Sequence, residues 1–321
     1  MRKILILNIC FPLIALAQQT INASINHGGI TRNYILYVPA SYSAVTEVPL
    51  VFNFHGYTSN ATEQMLYGDF RTIADTAGFI IVHPEGTLDN SGATHWNVGW
   101  GGSNVNDINF TSTLIDSIAS EYSINLDRVY STGMSNGGFM SYQLACELSD
   151  RIAAIASVTG SMNLGWFNSC NPNHPMPVME IHGTLDPTVS YNASIFTESI
   201  PNIMDFWGNF NNCNSTAIAT NVPNTNPTDG CTAEHQIWEN GSNGVAVEHY
   251  KIIGGEHSWP GALFPNGVTN QDINAGEKIW EFFNKYDING LIQTTNIKNI
   301  NTEKSARLIK ILDVLGRVTI P

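Results

Sequence analysis

The sequence predicts an α/β fold, a mostly parallel sheet with helices on both faces, and three observations carry that prediction. Apolar strand-like runs alternate with segments of helical spacing from Asn33 to Lys285, the order that repeated strand–helix–strand units require. Several of those runs are apolar almost throughout, as strands buried on both faces are. The composition, 43% hydrophobic and 13% charged over 321 residues, suits one large domain with a buried core and argues against disorder.

Residues 33–39 alternate polar and apolar side chains like a strand with one exposed face, and residues 48–54 form a denser apolar strand ending at His55-Gly56. Between 62 and 76, Met65, Leu66, Phe70, Ile73 and Ala74 recur at helical spacing; Gly78 stops that helix and 79–82 is the next buried strand. A helix over 106–122 carries Ile108, Leu114, Ile115 and Ile118 on one face, and a short strand follows at 128–132. A helix over 138–148 leads into a strand at 152–158. Further strands are expected at 178–181 and 246–253, with helices near 203–210 and 271–285. The stretch 213–243, rich in Asn, Thr, Pro and Gly, reads as a surface excursion. After Tyr286 a shift to Asn, Thr and Ile marks a linker or appendage.

A formal net charge of −13 repels nucleic acid and anionic lipid, and no Lys/Arg-rich run offers a local exception. The expected partner is a neutral or weakly charged substrate.

Met1-Arg2-Lys3, an apolar run over 4–17 and the small-x-small site Ala15-Leu16-Ala17 read as a signal peptide over 1–17. The run is short for a membrane span, so a retained anchor is the lesser reading. Leu7-Asn8-Ile9 lacks the small residues that a lipid-attachment site at Cys10 would have. The expected mature protein is secreted, with no membrane span after cleavage, a cell-surface location through its C-terminal tail being the alternative. It keeps Cys146, Cys170, Cys213 and Cys231, which suggests two disulfides. Three pairings are open. Cys213 with Cys231 closes a short turn-rich loop and is the first choice, which leaves Cys146 with Cys170. The spacings contain no Cys-x-x-Cys and no paired His, so no metal site is expected.

Gly133-x-Ser135-x-Gly137 lies between a strand and a helix. In that context small residues let the chain turn sharply and hold a serine hydroxyl above the sheet edge, at a helix N-terminus that favours developing negative charge. A serine needs a base, and the base an orienting acid. In the α/β-hydrolase fold the chain order is nucleophile, acid, histidine. Asp186, after the strand at 178–181, and His257, after the strand at 246–253, satisfy that order. His257 is preferred to His55, His83, His95 and His182 because only it follows the last strand. Glu256 adjoins the histidine and Asp107 precedes the serine, so neither competes well as the acid. The oxyanion donors are expected to be the backbone N–H groups of Asn136 and Tyr57. Trp96, Trp100 and Trp259 lie in Gly-rich or loop segments and are expected to line a substrate cleft; core packing is the competing account.

With these residues in view, the chain resembles the polyhydroxybutyrate-depolymerase-like and feruloyl-esterase-like group of the first carbohydrate-esterase family. The blocks Pro49-Leu-Val-Phe-Asn-Phe-His-Gly56, Trp96-Asn97, Val105-Asn-Asp-Ile-Asn-Phe110, Arg128-Val-Tyr-Ser-Thr-Gly-Met-Ser-Asn-Gly-Gly138, His182-Gly-Thr-Leu-Asp-Pro187 and Gly254-Gly-Glu-His-Ser-Trp-Pro-Gly261 carry the likeness. The likeness runs from about Asn33 to Tyr286, within an expected α/β-hydrolase domain over 18–287; it implies an extracellular carboxylic-ester hydrolase without metal or organic cofactor, and nucleophile, acid and base on Ser135, Asp186 and His257. Members of the group often place the partner of the Cys213-like cysteine just before the last strand, where this chain has Asn240-Gly241-Ser242. The segment Leu308-Ile-Lys-Ile-Leu-Asp-Val-Leu-Gly-Arg-Val318, within a linker and tail over 288–321, is similar to the first half of the type IX secretion sorting domain of Bacteroidetes. A plain β-hairpin is the other reading of that tail.

The leading expectation is hydrolysis of a feruloyl or acetyl ester on plant cell-wall polysaccharide through an acyl-serine intermediate. A polyhydroxyalkanoate depolymerase is the alternative within the class, and a serine peptidase a weaker one. From another class comes an inactive polysaccharide-binding module.

Overall fold

A computed structural model describes residues 18–293, together with the backbone of two short strands at Ile311–Leu312 and Val318–Thr319. The leader expected at 1–17 and most of the sorting-like tail lie outside the described residues.

Ten strands build the main sheet: β1 (Gln19–His27), β2 (Ile30–Val38), β3 (Val48–Phe54), β4 (Ile80–Pro84), β5 (Ile124–Met134), β6 (Ala154–Val158), β7 (Val178–Gly183), β8 (Ile218–Asn221), β9 (Thr232–Trp238) and β10 (Val247–Ile253). They lie in the order β1-β2-β4-β3-β5-β6-β7-β10-β9-β8. The six strands from β4 to β10 in that order are parallel to one another, and antiparallel pairs extend both edges. The central strands are buried over their whole length, which is why they read as apolar runs.

Side chains alternate between two cores, as the two-residue period of a strand requires. Leu50, Phe52, Phe54, Val129 and Ile155 join one core with α3 (Asp107–Glu121), α4 (Asn136–Glu147) and α5 (Ile200–Phe210). Val51, Tyr130, Ala154 and Ala156 join the other with α2 (Arg71–Ala77) and α6 (Ala275–Phe283). A disulfide joins Cys146, near the end of α4, to Cys170.

Four differences from the sequence reading have physical causes. The helix expected over 62–76 is two, α1 (Ala61–Tyr67) and α2, broken at Gly68. Asn53 holds the break by donating to the Gly68 carbonyl, and a Cβ at Gly68 would lie 2.7 Å from Gln64 Nε2. The expected surface excursion contains β8 and β9, whose polar residues keep strand geometry because β10 supplies the hydrogen-bonding edge. Cys213 and Cys231 are free thiols, not the expected disulfide. Cys231 adjoins the start of β9, whereas Cys213 lies beside Val245, past its end, and seven residues of strand, ~23 Å, keep them apart. Finally, Tyr286–Asp287 and Gly290–Leu291 pair as a hairpin, so the body runs to Leu291. A separate unit follows, Ile292–Pro321, in which Ile311–Leu312 pairs antiparallel with Val318–Thr319.

Candidate active site

β5 ends at Met134 and α4 begins at Asn136, so Ser135 alone makes the turn between strand and helix. Its backbone is driven to φ 55 and ψ −119, a conformation that costs a non-glycine residue strain and that clusters at functional sites. The flanking glycines make the turn possible. A Cβ on Gly137 would lie 2.1 Å from the Phe54 carbonyl oxygen, and one on Gly133 2.6 Å from both that oxygen and the Gly137 carbonyl carbon. The Ser135 N–H donates to the Val158 carbonyl at 2.8 Å, tying the turn to the neighbouring strand.

Asp186 and His257 come from loops that follow the adjacent parallel strands β7 and β10. The two loops are zipped together. Thr184 N–H donates to Ile252 O at 2.9 Å and Leu185 N–H to Gly255 O at 3.0 Å, while Gly254 N–H donates to Thr184 Oγ1 at 2.9 Å. The approach is so close that a Cβ on Gly183 would lie 2.3 Å from the Gly255 carbonyl oxygen. In consequence His257 Nδ1 meets Asp186 Oδ2 at 2.7 Å, which leaves Nε2 as the ring nitrogen available to the cleft. The other carboxylate oxygen, Oδ1, accepts from the N–H groups of Thr188 and Val189, each at 2.8 Å. The Asp186 side chain is fully buried, and that of His257 is 18% exposed.

The turn after β3 is fixed by His55. Gly86 N–H donates to His55 Nε2 at 2.9 Å, so the ring proton resides on Nδ1, which donates to the Gly56 carbonyl at 2.7 Å. Burial holds this imidazole neutral by lowering its pKa to about 4, although the Gly56 hydrogen bond pulls the other way. Tyr57 follows directly. Asn136, at the first position of α4, has a backbone N–H with no intrahelical acceptor.

Trp96 corrects the expectation that it lines the cleft. It is fully buried; its Nε1 donates to the His55 carbonyl at 2.9 Å. Its backbone N–H donates to Asn136 Oδ1 at 2.7 Å, and Asn136 Nδ2 returns a bond to its carbonyl. Trp96 therefore braces the Ser135 turn against the Tyr57 turn from beneath. A Gly-rich setting hid this, because nothing in the sequence places the indole N–H against a carbonyl.

Two clefts meet at Ser135 and Tyr57. The smaller, about 250 Å³, is also lined by His257, Trp259, Tyr67 and Phe264. The larger, about 770 Å³, is walled by Trp100, Phe139, Leu164, Val189, Ile195 and Phe196. Trp100 and Trp259 thus stand on opposite sides of the serine. Tyr67, Phe139, Ile195 and Phe196 were not among the expected cleft residues; they come from helices and an irregular loop whose spacing carries no signal of a common wall. Among the described residues, no group of three or more His, Cys, Asp or Glu side chains is arranged to hold a metal ion.

A parallel sheet with antiparallel edges, a strained serine between strand and helix, and an acid–histidine pair on the ends of β7 and β10 define the α/β-hydrolase fold. Within it, the model of the esterase PHB depolymerase family matches residues 32–222, and the chain belongs to that family. A bifunctional acetylxylan esterase/xylanase of Neocallimastix patriciarum is 27% identical over 88% of this chain and 38% of its own length. Feruloyl esterase B of Piromyces equi is 29% identical over 71% of this chain and 42% of its own. The chain thus spans about two fifths of each of these relatives. An acetyl xylan esterase structure from Aspergillus awamori superposes with a TM-score of 0.54 at 15% identity, over 84% of this chain and 99% of the other, a likeness of fold.

Proposed function

We propose that the protein is a secreted serine esterase that cleaves esters of a bulky, aromatic acyl group from plant cell-wall polysaccharide, with feruloyl preferred to acetyl. In this reading Ser135 Oγ attacks the carbonyl carbon while His257 Nε2 takes the hydroxyl proton, and Asp186 orients the imidazole and stabilises its charged form. The N–H groups of Tyr57 and Asn136 receive the oxyanion. Collapse breaks the bond to the alcohol, which leaves with the proton from His257. Water then adds to the acyl-serine by the same route and releases the carboxylic acid.

The observation that carries the acyl preference is the division of the site. His257 must reach the leaving alcohol, and it lines the smaller cleft. The acyl group then falls to the larger, apolar cleft with Trp100, Phe139 and Phe196 on its wall, where an acetyl group would leave most of the apolar surface uncovered and an aromatic one would bury it. Relatives named as a feruloyl esterase and an acetylxylan esterase support the general reading.

A panel of methyl ferulate, acetylated xylan and hydroxybutyrate oligomers tests it. The highest kcat/KM is expected on the ferulate ester. A higher value on acetylated xylan would overturn the acyl assignment, and a higher value on the oligomers would make the protein a polyester depolymerase. Absence of fluorophosphonate labelling with retained polysaccharide binding would make it a binding module.

A further inference from the structure

Beneath the acid–histidine pair lies a second, fully buried histidine that the reaction above does not use. Glu180 and His182 are two residues apart on β7 and so share one face of the strand; both side chains are wholly buried. Glu180 Oε2 accepts from the Tyr142 hydroxyl at 2.8 Å, and Oε1 meets His182 Nδ1 at 2.9 Å. His182 Nε2 meets the Val189 carbonyl at 2.9 Å. A carbonyl can only accept, so Nε2 carries a proton, and that nitrogen stands 3.5 Å from Asp186 Oδ2. This is the same oxygen that takes His257 Nδ1.

We propose that His182 is a positioning residue for the acid of the triad: its Nε2–H donates to the Val189 carbonyl and so ties down the turn whose N–H groups hold Asp186, its ring stands beside Oδ2, and Glu180 with Tyr142 anchors His182 from below. The proposal rests on the reading of Asp186 as the orienting acid. Two backbone N–H groups fix Oδ1, one of them that of Val189, whose carbonyl takes the His182 bond, and Oδ2 pairs with His257 Nδ1. Burial disfavours a charged His182, yet the hydrogen bond and charge of Glu180, with Asp186 and the Val189 carbonyl, outweigh it and raise its pKa above the ordinary value. The His182 ring thus stands 3.5 Å from the acid as a favourable neighbour for its negative charge. His249 and Tyr191 complete the surroundings. His249 Nδ1 donates to the Glu180 carbonyl at 3.0 Å, its Nε2 lies 3.0 Å from the Tyr191 hydroxyl, and burial lowers its pKa to about 3, so it adds no competing charge.

Two amide substitutions separate this role from a structural one. His182→Asn can place an N–H where Nδ1 stands, keeping the Glu180 contact and losing the Val189 bond together with the approach to Asp186; His182→Gln can place one where Nε2 stands, with the opposite result. The expected outcome is a kcat reduced roughly 10- to 100-fold in His182→Asn with little change in KM, since a small misplacement of a catalytic group has costs of that order, and a smaller loss in His182→Gln. In an Asp186→Asn background the effect of His182→Asn should shrink to about 2-fold or less, because the residue acts through the acid. Melting curves of each variant accompany the kinetics. The proposal is overturned if His182→Gln loses more kcat than His182→Asn, or if the loss is the same in both backgrounds. Ser135→Ala run in parallel keeps the two claims apart: if it retains activity, the serine mechanism fails; if it is inactive while His182→Asn matches wild type, only the positioning role fails.

Discussion

Gly137 packs against the Phe54 carbonyl so closely that a methyl group there would stand 2.1 Å from the oxygen. The turn that carries Ser135 and the turn that carries Tyr57 are thereby held at one fixed separation. Gly137→Ala must push them apart. Overpacking of this kind costs about 1–3 kcal/mol or more, and it shifts Ser135 away from the backbone N–H of Tyr57. Loss of ester hydrolysis together with a lowered melting temperature is expected, and wild-type values for both would contradict the packing account.

Trp100 tests the assignment of the larger cleft. It is 45% exposed and lines that cleft and not the smaller one. Trp100→Ala should lower kcat/KM on an aryl ester by roughly 10-fold or more, the scale of a lost apolar contact in a specificity pocket, and change an acetyl ester of the same alcohol by about 2-fold or less. Equal losses on both esters would remove Trp100 from acyl selection.

Gly241 lies in the segment Asn240-Gly241-Ser242, the region where the family resemblance would lead one to expect a cysteine. A Cβ there would lie 2.9 Å from Cys213 Sγ, and the backbone at φ −66 and ψ 167 accepts any side chain. Gly241→Cys is therefore expected to form a disulfide with Cys213, provided the Val245 carbonyl, 2.7 Å from the same Cβ, gives way. Closing the loop between residues 213 and 241 is worth about 3–4 kcal/mol in the chain-entropy account. Thiol titration of the denatured, unreduced domain should find one free cysteine where the parent has two, with a raised melting temperature; three free thiols would refute it.

Burial lowers the pKa of His83 to about 3, against the attraction of Asp69, while an unfolded histidine titrates near ~6.5. The folded pKa lies below the unfolded one. Between those values the unfolded chain binds a proton that the folded chain does not, so this group reduces stability as pH falls from about 6.5 towards 3, by on the order of 5 kcal/mol in all. His83→Leu removes that sensitivity. Its melting temperature should fall less between pH 7 and pH 4 than that of the parent, and an identical fall would show that His83 is not protonated on unfolding.

How much of this was legible in the sequence differs by element. The Ser135 turn could be read because its requirement is local: only glycine tolerates the contacts at 133 and 137. Asp186 and His257 could be read because parallel strands deliver their loops to one edge, so chain order alone fixes their neighbourhood. β1 was invisible because its inward residues, Ile21, Ala23 and Ile25, alternate with strongly polar ones and are only partly buried. β8 and β9 form by extending an edge that already exists, a property of β10 and not of their own residues. His182 was passed over since the choice of histidine rested on position after the last strand, although its two-residue spacing from Glu180 in a buried run marked a paired polar core.

The central claim is that Ser135 is the nucleophile, and its most direct test is Ser135→Ala assayed on methyl ferulate beside a melting curve. The account predicts a fall of roughly 10³-fold or more in kcat/KM with the melting temperature preserved or raised as backbone strain at position 135 allows. Hydrolysis at the parent rate by the folded variant would contradict it.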